Sequence, residues 1–125
     1  MKFRILSLML LSLIGATSVK NGEDAPLFNL LNQDDQTVSL EEFKGKKVVL
    51  EWTNHDCPFV KRHYDTGNMQ NLQKEMSDQD IVWLSIVSSA KGKQGHITKD
   101  QAKELTKKRS ASVSYTHLTL PTRDD

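Results

Sequence analysis

Cysteine is nearly absent from this sequence, which contains one, Cys57, in 125 residues. A single cysteine cannot close a disulfide within the chain, so a disulfide-stabilised fold and a dithiol redox centre are both excluded. In an oxidising compartment cysteines are normally paired, so an unpaired one needs an explanation. Cys57 is therefore either a reactive thiol or an inert buried one, and the sequence around it has to decide.

The sequence also lacks an excess of positive or negative charge, and it has few long apolar runs. The 17 Lys and Arg against 16 Asp and Glu give a formal net charge of +1, which offers no basis for binding nucleic acid. Hydrophobic residues make up 37% of the chain, and part of them lies in one run near the N-terminus. The length and composition therefore allow one domain at most, with a small core.

Residues 1–18 have the layout of a secretory signal peptide. Lys2 and Arg4 precede an apolar run over residues 5–15, and small residues follow it. The run is shorter than the roughly 20 apolar residues of a membrane-spanning helix, although an uncleaved anchor stays the alternative. No cysteine lies near the cleavage region, which argues against a lipoprotein. We expect a periplasmic or secreted protein that meets the membrane only through its signal peptide.

Residues 19–111 show the pattern of an α/β domain. An apolar stretch, a polar turn at residues 32–36 and a second short strand predict a hairpin. Ser39 followed by Glu42 predicts a capping box on a single helical turn. The domain therefore begins with a hairpin that leads into its first long strand.

Two apolar segments predict the strands of the sheet. KVVLEW, residues 47–52, predicts a central strand, and IVWLSIVS, residues 81–88, predicts a parallel strand covered by helices on both faces. Trp52 and Trp83 are interpreted as core aromatic residues of these strands. Strands and helices that alternate in this order imply a right-handed crossover.

Three helical segments are predicted between and after these strands. Pro58 suits the first turn of a helix, where its missing N–H leaves no bond unmade. Residues 65–68 interrupt the helix, and the helical spacing then resumes with core residues Met69, Leu72 and Met76. After a loop over residues 89–97, Thr98 and Gln101 form a second capping box for a helix that continues through Arg109, with Ala102 and Leu105 facing inward.

The run VVLEWTNHDCPFV, residues 48–60, resembles the strand and active-site turn of the thioredoxin-like redoxins, including the peroxiredoxin and thiol-specific antioxidant (AhpC/TSA) group. In those proteins a buried strand delivers a Cys-Pro pair to the start of a helix. The lead-in GEDAPLFNLLNQDDQTVSLEEFKGKKVVL matches too, so the resemblance covers residues 20–108. It implies a thioredoxin-like α/β fold, Cys57 as the catalytic nucleophile, no cofactor, and an external thiol or thioredoxin-like protein as reductant.

The sequence departs from the redoxin pattern at three positions. Dithiol reductases carry a second cysteine three residues after the first, where this chain has Val60. Classical peroxiredoxins carry a threonine three residues before the cysteine and a proline four residues further back, where this chain has Asn54 and Leu50. The resemblance therefore implies a one-cysteine variant acting on a small peroxide or a disulfide.

The residues around Cys57 favour a reactive thiol. The positive end of a helix dipole stabilises a thiolate, and Lys61 and His55 lie nearby as modifiers of its acidity, whereas Asp56 opposes them. Asn54 and Pro58 are predicted to shape the active-site turn, together with Thr53. His63 and Tyr64 are predicted to lie at the surface or to act only indirectly.

Two other functions stay open for the same residues. The first is a thioredoxin-fold binding module that has lost redox chemistry. The second is a soft-metal site formed by Cys57, His55 and His63, which are all metal-binding residue types. This set lacks a further strong ligand, so no metal is predicted.

The last segment, SVSYTHLTLPTR, does not continue the redoxin pattern and shows neither helical nor strand periodicity. The codons GTC TCT TAT ACA CAT CTG ACG CTG CCG ACG of a transposase-type sequencing adapter spell residues 113–122. We therefore expect residues 112–125 to be a non-native tail that follows a partial domain. Related domains continue with further strands and a cis-proline loop, for which Pro121 is no substitute, so a sheet edge should stay uncovered.

Overall fold

The computed structural model describes residues 19–113 and the backbone strand of residues 115–119. The predicted signal peptide lies outside the described residues, among which no helix has the length and apolar content to cross a bilayer. The elements follow the chain as β1 (Asn29–Leu31), β2 (Thr37–Ser39), a 3₁₀ turn (Leu40–Phe43), β3 (Val48–Trp52), α1 (Pro58–Asp65), α2 (Asn68–Asp78), β4 (Val82–Val87), α3 (Lys99–Arg109) and β5 (Tyr115–Thr119).

The strands form one sheet in the order β2-β1-β5-β4-β3. β1 and β2 pair antiparallel, which confirms the hairpin, and β3 and β4 pair parallel, which confirms the predicted parallel pair. One part of the prediction is wrong: β3 is not a central strand, because β4 is its one neighbour among the described strands. Leu50, near the middle of β3, is accordingly 48% exposed.

Local side-chain bonds set the ends of these elements. Both capping boxes are present: Ser39 with Glu42 before the 3₁₀ turn, and Thr98 with Gln101 at the start of α3. Gly67, with φ of 74°, separates α1 from α2, which confirms the predicted interruption. A left-handed residue at this point ends the first helix and lets the second leave in a new direction.

The two faces of β4 carry different chemistry. Side chains alternate across a strand, so residues 82, 84 and 86 share one face and residues 83 and 85 the other. The first face belongs to the core cluster of Leu30, Val38, Val82, Leu84 and Ile86, against which Phe28, Phe43 and Val48 pack. The second face carries polar groups and meets α1 and α2 through the network described below.

Two residues predicted for the core lie outside it. Trp52 is 62% exposed, and its indole N–H donates to Ser88 Oγ at 2.9 Å. Leu72 is 39% exposed, whereas its neighbour Gln73 is fully buried. Trp52 is exposed because it ends an edge strand, and α2 turns Gln73 rather than Leu72 toward the sheet to meet polar partners. Trp83 is buried, as predicted.

The strand β5 was not predicted. Residues 115–119 add to the sheet between β1 and β4, parallel to β4 and antiparallel to β1. The segment contains one tyrosine and two threonines, which are among the residue types enriched in strands, and β4 pairs with its backbone. The adapter origin of residues 112–125 stays a prediction.

Candidate functional site

Cys57 lies where β3 has ended and α1 begins. It is the N-cap of α1, and its carbonyl accepts the Lys61 N–H at 2.9 Å while Pro58 occupies the start of the helix. The cysteine side chain is partly exposed and makes no capping hydrogen bond. The cysteine side chain is thus accessible at the N-terminus of α1, where the first N–H groups of a helix have no partner within the helix.

The turn before Cys57 is held by Asn54. Its carbonyl accepts the Cys57 N–H at 3.1 Å, and its side-chain Oδ1 accepts the Asp56 N–H at 3.0 Å. Thr53 continues the sheet by donating its N–H to the Ile86 carbonyl at 3.0 Å. Asn54 therefore fixes the path of the chain from the last sheet bond to the cysteine.

Asp56 is engaged at both carboxylate oxygens. Its Oδ2 accepts the Gly95 N–H at 3.1 Å, and its Oδ1 lies 3.5 Å from His55 Nε2. Gly95 belongs to the loop after β4, so a residue far along the chain contacts the turn that carries Cys57. His55 and Asp56, both named from the sequence, thus lie together beside Cys57.

A cavity of about 550 Å³ adjoins this turn. His55 and Asp56 form one wall, Lys61 on α1 forms another, and Lys108 and Arg109 on α3 close it. The lining side chains carry both signs of charge. The cavity can receive a polar group, and Lys61 is the cation nearest in sequence to Cys57.

A carboxylate that was not predicted to have a role lies on β3, the strand that precedes the turn. Glu51, on β3, accepts hydrogen bonds from four side chains of β4, α1 and α2: Trp83 Nε1 at 2.8 Å, Ser85 Oγ at 3.0 Å, Tyr64 Oη at 3.0 Å and Gln73 Nε2 at 3.5 Å. Oε2 accepts three of these bonds, and Oε1 accepts the fourth, from Tyr64 Oη. Glu51 is the one acidic residue in an otherwise apolar strand, and this pattern in the sequence could have indicated a buried polar network.

Tyr64 links this network to α3. It is 6% exposed, so of the two predicted alternatives, a surface residue or an indirectly acting one, only the second remains. Burial, the charge of Glu51 and the hydrogen bond to that carboxylate raise the pKa of the Tyr64 hydroxyl, whereas the Gln73 bond and Arg109 lower it less. The Arg109 guanidinium lies 4.0 Å from the centre of the Tyr64 ring. The hydroxyl therefore stays protonated and acts as a donor.

The raised pKa of Tyr64 predicts a pH dependence of stability. The folded state holds the phenolic proton more tightly than the unfolded chain, in which the pKa of a tyrosine hydroxyl is 10.0. The stabilisation from the protonated Tyr64 hydroxyl is therefore complete below pH 10 and decreases as the pH rises above it. We expect the stability advantage of the wild type over Tyr64→Phe to shrink by about 1.4 kcal/mol between pH 9 and pH 11. Urea unfolding of both proteins measures it, and a pH-independent difference would contradict it.

The residues considered for a metal do not come together. Within residues 19–113, no group of three or more His, Cys, Asp or Glu side chains is arranged to hold a metal ion. His63 is exposed, and its Nδ1 lies 3.1 Å from the Asn68 amide nitrogen instead.

Comparison with known proteins agrees with this geometry. A family model described as Redoxin matches residues 20–119. A Haemophilus influenzae protein, bcp, whose name assigns it provisionally to the peroxiredoxins, is 33% identical over 66 residues, which are 53% of this chain and 40% of that protein.

Solved structures show the same fold. An uncharacterized conserved protein of Geobacillus kaustophilus superposes with a TM-score of 0.69 at 22% identity, over 82% of this chain and 53% of that one. The thioredoxin domain of the Bacteroides vulgatus thiol-disulfide oxidoreductase BVU-2223 gives 0.59 at 18%, over 86% and 69%. The exposed lipoprotein thioredoxin Etrx1 of Streptococcus pneumoniae gives 0.51 at 28%, over 77% and 67%.

These matches establish the family and the fold of the chain. This chain spans only 40% of the Haemophilus protein and 53% of the Geobacillus one, so the activities of whole relatives are not transferred to it. The predicted thioredoxin-like α/β fold is confirmed by the superpositions. Because the family model matches residues 20–119, the chain belongs to the Redoxin family.

Proposed function

We propose that this chain is a thiol oxidoreductase that acts through Cys57 alone. The observation that carries the proposal is the position of this thiol, partly exposed at the N-terminus of α1 and without a capping bond. A helix N-terminus lowers the free energy of a thiolate, which is the nucleophilic form of cysteine. Membership of the Redoxin family supports this chemistry in general terms.

The reaction with a peroxide needs an external thiol to complete it. The Cys57 thiolate attacks one peroxide oxygen, the O–O bond breaks, and water or an alcohol leaves while the sulfur is oxidised to a sulfenic acid. The chain has no second cysteine, so an external thiol condenses with the sulfenic acid and releases water. A second external thiol then attacks the mixed disulfide, which regenerates Cys57 and releases the partner disulfide.

The reaction with a disulfide uses the same residues. The thiolate attacks one sulfur, the S–S bond breaks, and the other sulfur leaves as a thiolate. Neither route requires a cofactor. The proposed partners are therefore a small peroxide or disulfide and a thiol or thioredoxin-like reductant.

We also propose that the protein works outside the cytoplasm. The basic residues, apolar run and small residues within residues 1–18 support export. Etrx1, the streptococcal protein with a similar fold, is itself named an exposed lipoprotein.

One experiment separates a reactive thiol from an inert one. Because Cys57 is the only cysteine in the sequence, a dimedone adduct or a mixed disulfide detected by mass spectrometry of the intact protein reports on this residue. We expect the folded protein to react with hydrogen peroxide or a model disulfide at pH 7 at least about tenfold faster than the same chain in urea, the reference for an unperturbed thiol. Sulfenic acid is trapped with dimedone.

The outcomes distinguish the candidate functions. Faster sulfenic acid formation indicates a peroxidase, and faster mixed-disulfide formation indicates a disulfide oxidoreductase. If the folded chain reacts no faster than the unfolded chain with either reagent, the proposal is wrong, and a redox-inactive binding module accounts better for the site.

A further inference from the structure

Gly95 is in unusually close contact with the turn that carries Cys57. It has φ of +83°, is buried, and donates its N–H to Asp56 Oδ2 at 3.1 Å. A Cβ atom at this position would lie 2.6 Å from both Asn54 Cγ and Oδ1, and 2.8 Å from Ser89 Oγ. The loop after β4 thus contacts the active-site turn at a point where only glycine fits.

We propose that Gly95 is a positioning residue for Cys57, acting through Asn54 and Asp56. Its missing side chain leaves room for the Asn54 side chain that accepts the Asp56 N–H, and its own N–H holds the Asp56 carboxylate. The inference rests on the proposed function, because it presupposes that the reactivity of this thiol matters.

The effect on the thiol is electrostatic. Asp56 directly precedes Cys57, and an uncompensated carboxylate disfavours a neighbouring thiolate. The Gly95 N–H offsets part of that charge at Oδ2, and His55 Nε2 lies 3.5 Å from Oδ1. The other groups that line the cavity with Asp56 come from α1 and α3: Lys61, Tyr64, Asp65, Lys108 and Arg109. Losing the Gly95 bond therefore frees a negative charge beside the thiol.

A pair of glycine variants tests this role. In Gly95→Ala the new methyl group clashes with Asn54, whereas in Gly92→Ala, in the same loop at φ of +79°, it meets nothing within 4 Å. Both variants carry the backbone strain, so their difference isolates the contact. We expect the midpoint of the pH profile for alkylation by iodoacetamide to rise by about 0.5–1 pH unit in Gly95→Ala relative to Gly92→Ala. Equal midpoints overturn the proposal.

A second pair tests the route through Asp56. In an Asp56→Asn background the charge is gone, so adding Gly95→Ala should leave the midpoint where Asp56→Asn alone puts it. A full shift in that background overturns the assigned route. The midpoint is measurable even if folded Cys57 reacts no faster than the unfolded chain, so failure of the proposed function is recorded separately.

A third measurement does not require the Gly95→Ala variant to fold. In the wild type the Gly95 amide should exchange with solvent at least about tenfold more slowly than in Asp56→Ala, which removes the acceptor. Equal exchange rates in the two proteins show that the bond does not hold the loop and overturn the proposal.

Discussion

Leu84→Ala is expected to lower the free energy of unfolding by about 3–5 kcal/mol. Leu84 is fully buried in β4 and lies in register with Leu50 of β3 and Tyr115 of β5. Truncation removes apolar contacts and leaves a cavity that the flanking strands cannot close without moving. Urea unfolding, monitored by circular dichroism, measures the change.

Leu72→Ala is the matched control. The same atoms are removed, but Leu72 is 39% exposed on α2, so we expect a loss below about 1 kcal/mol. If the two variants lose equal stability, Leu84 does not lie in the core that the sheet defines.

Glu51→Ala is expected to cost about 2–4 kcal/mol, the second-largest effect. The substitution removes the common acceptor of Trp83, Ser85 and Tyr64, so these buried donors lose a partner. An unsatisfied buried donor is more expensive than the loss of an average hydrogen bond. The measurement is again the urea midpoint.

Glu75→Ala supplies the reference for this change. Glu75 is exposed on α2, so the same substitution there should alter stability by no more than about 0.5 kcal/mol. Indistinguishable unfolding curves for the two alanine variants would show that the Glu51 network contributes nothing to the fold.

Local features of the fold could be predicted because neighbouring residues determine them. The capping boxes of Ser39 and Thr98 depend on residues three positions apart, and the helix interruption depends on Gly67 itself. The exposure of Trp52 could not be predicted, because it depends on which strand lies at the sheet edge. The prediction that Leu72 lies in the core was wrong for a related reason: α2 is rotated so that Gln73, rather than Leu72, is buried.

The candidate site divides in the same way. Cys57, Pro58 and Asn54 could be placed from the sequence because they form one continuous turn. The Gly95 bond to Asp56 joins residues 39 positions apart, and the Glu51 bond to Trp83 joins residues 32 positions apart. No pattern in the sequence specifies such pairs before the strand register is known.

The pairing of β3 with β4 also bears on how the fold is assembled. The hairpin joins strands that are adjacent in the chain, whereas Glu51 and Ser85 are 34 positions apart and are joined through two helices. Closing the longer loop costs more chain entropy. The turn that carries Cys57 follows β3 and therefore depends on the β3–β4 pairing, which is the less local of the two. Any opening that separates β3 from β4 also disperses the Glu51 network. It would also displace the C-terminal end of β3, from which the chain enters the turn that carries Cys57.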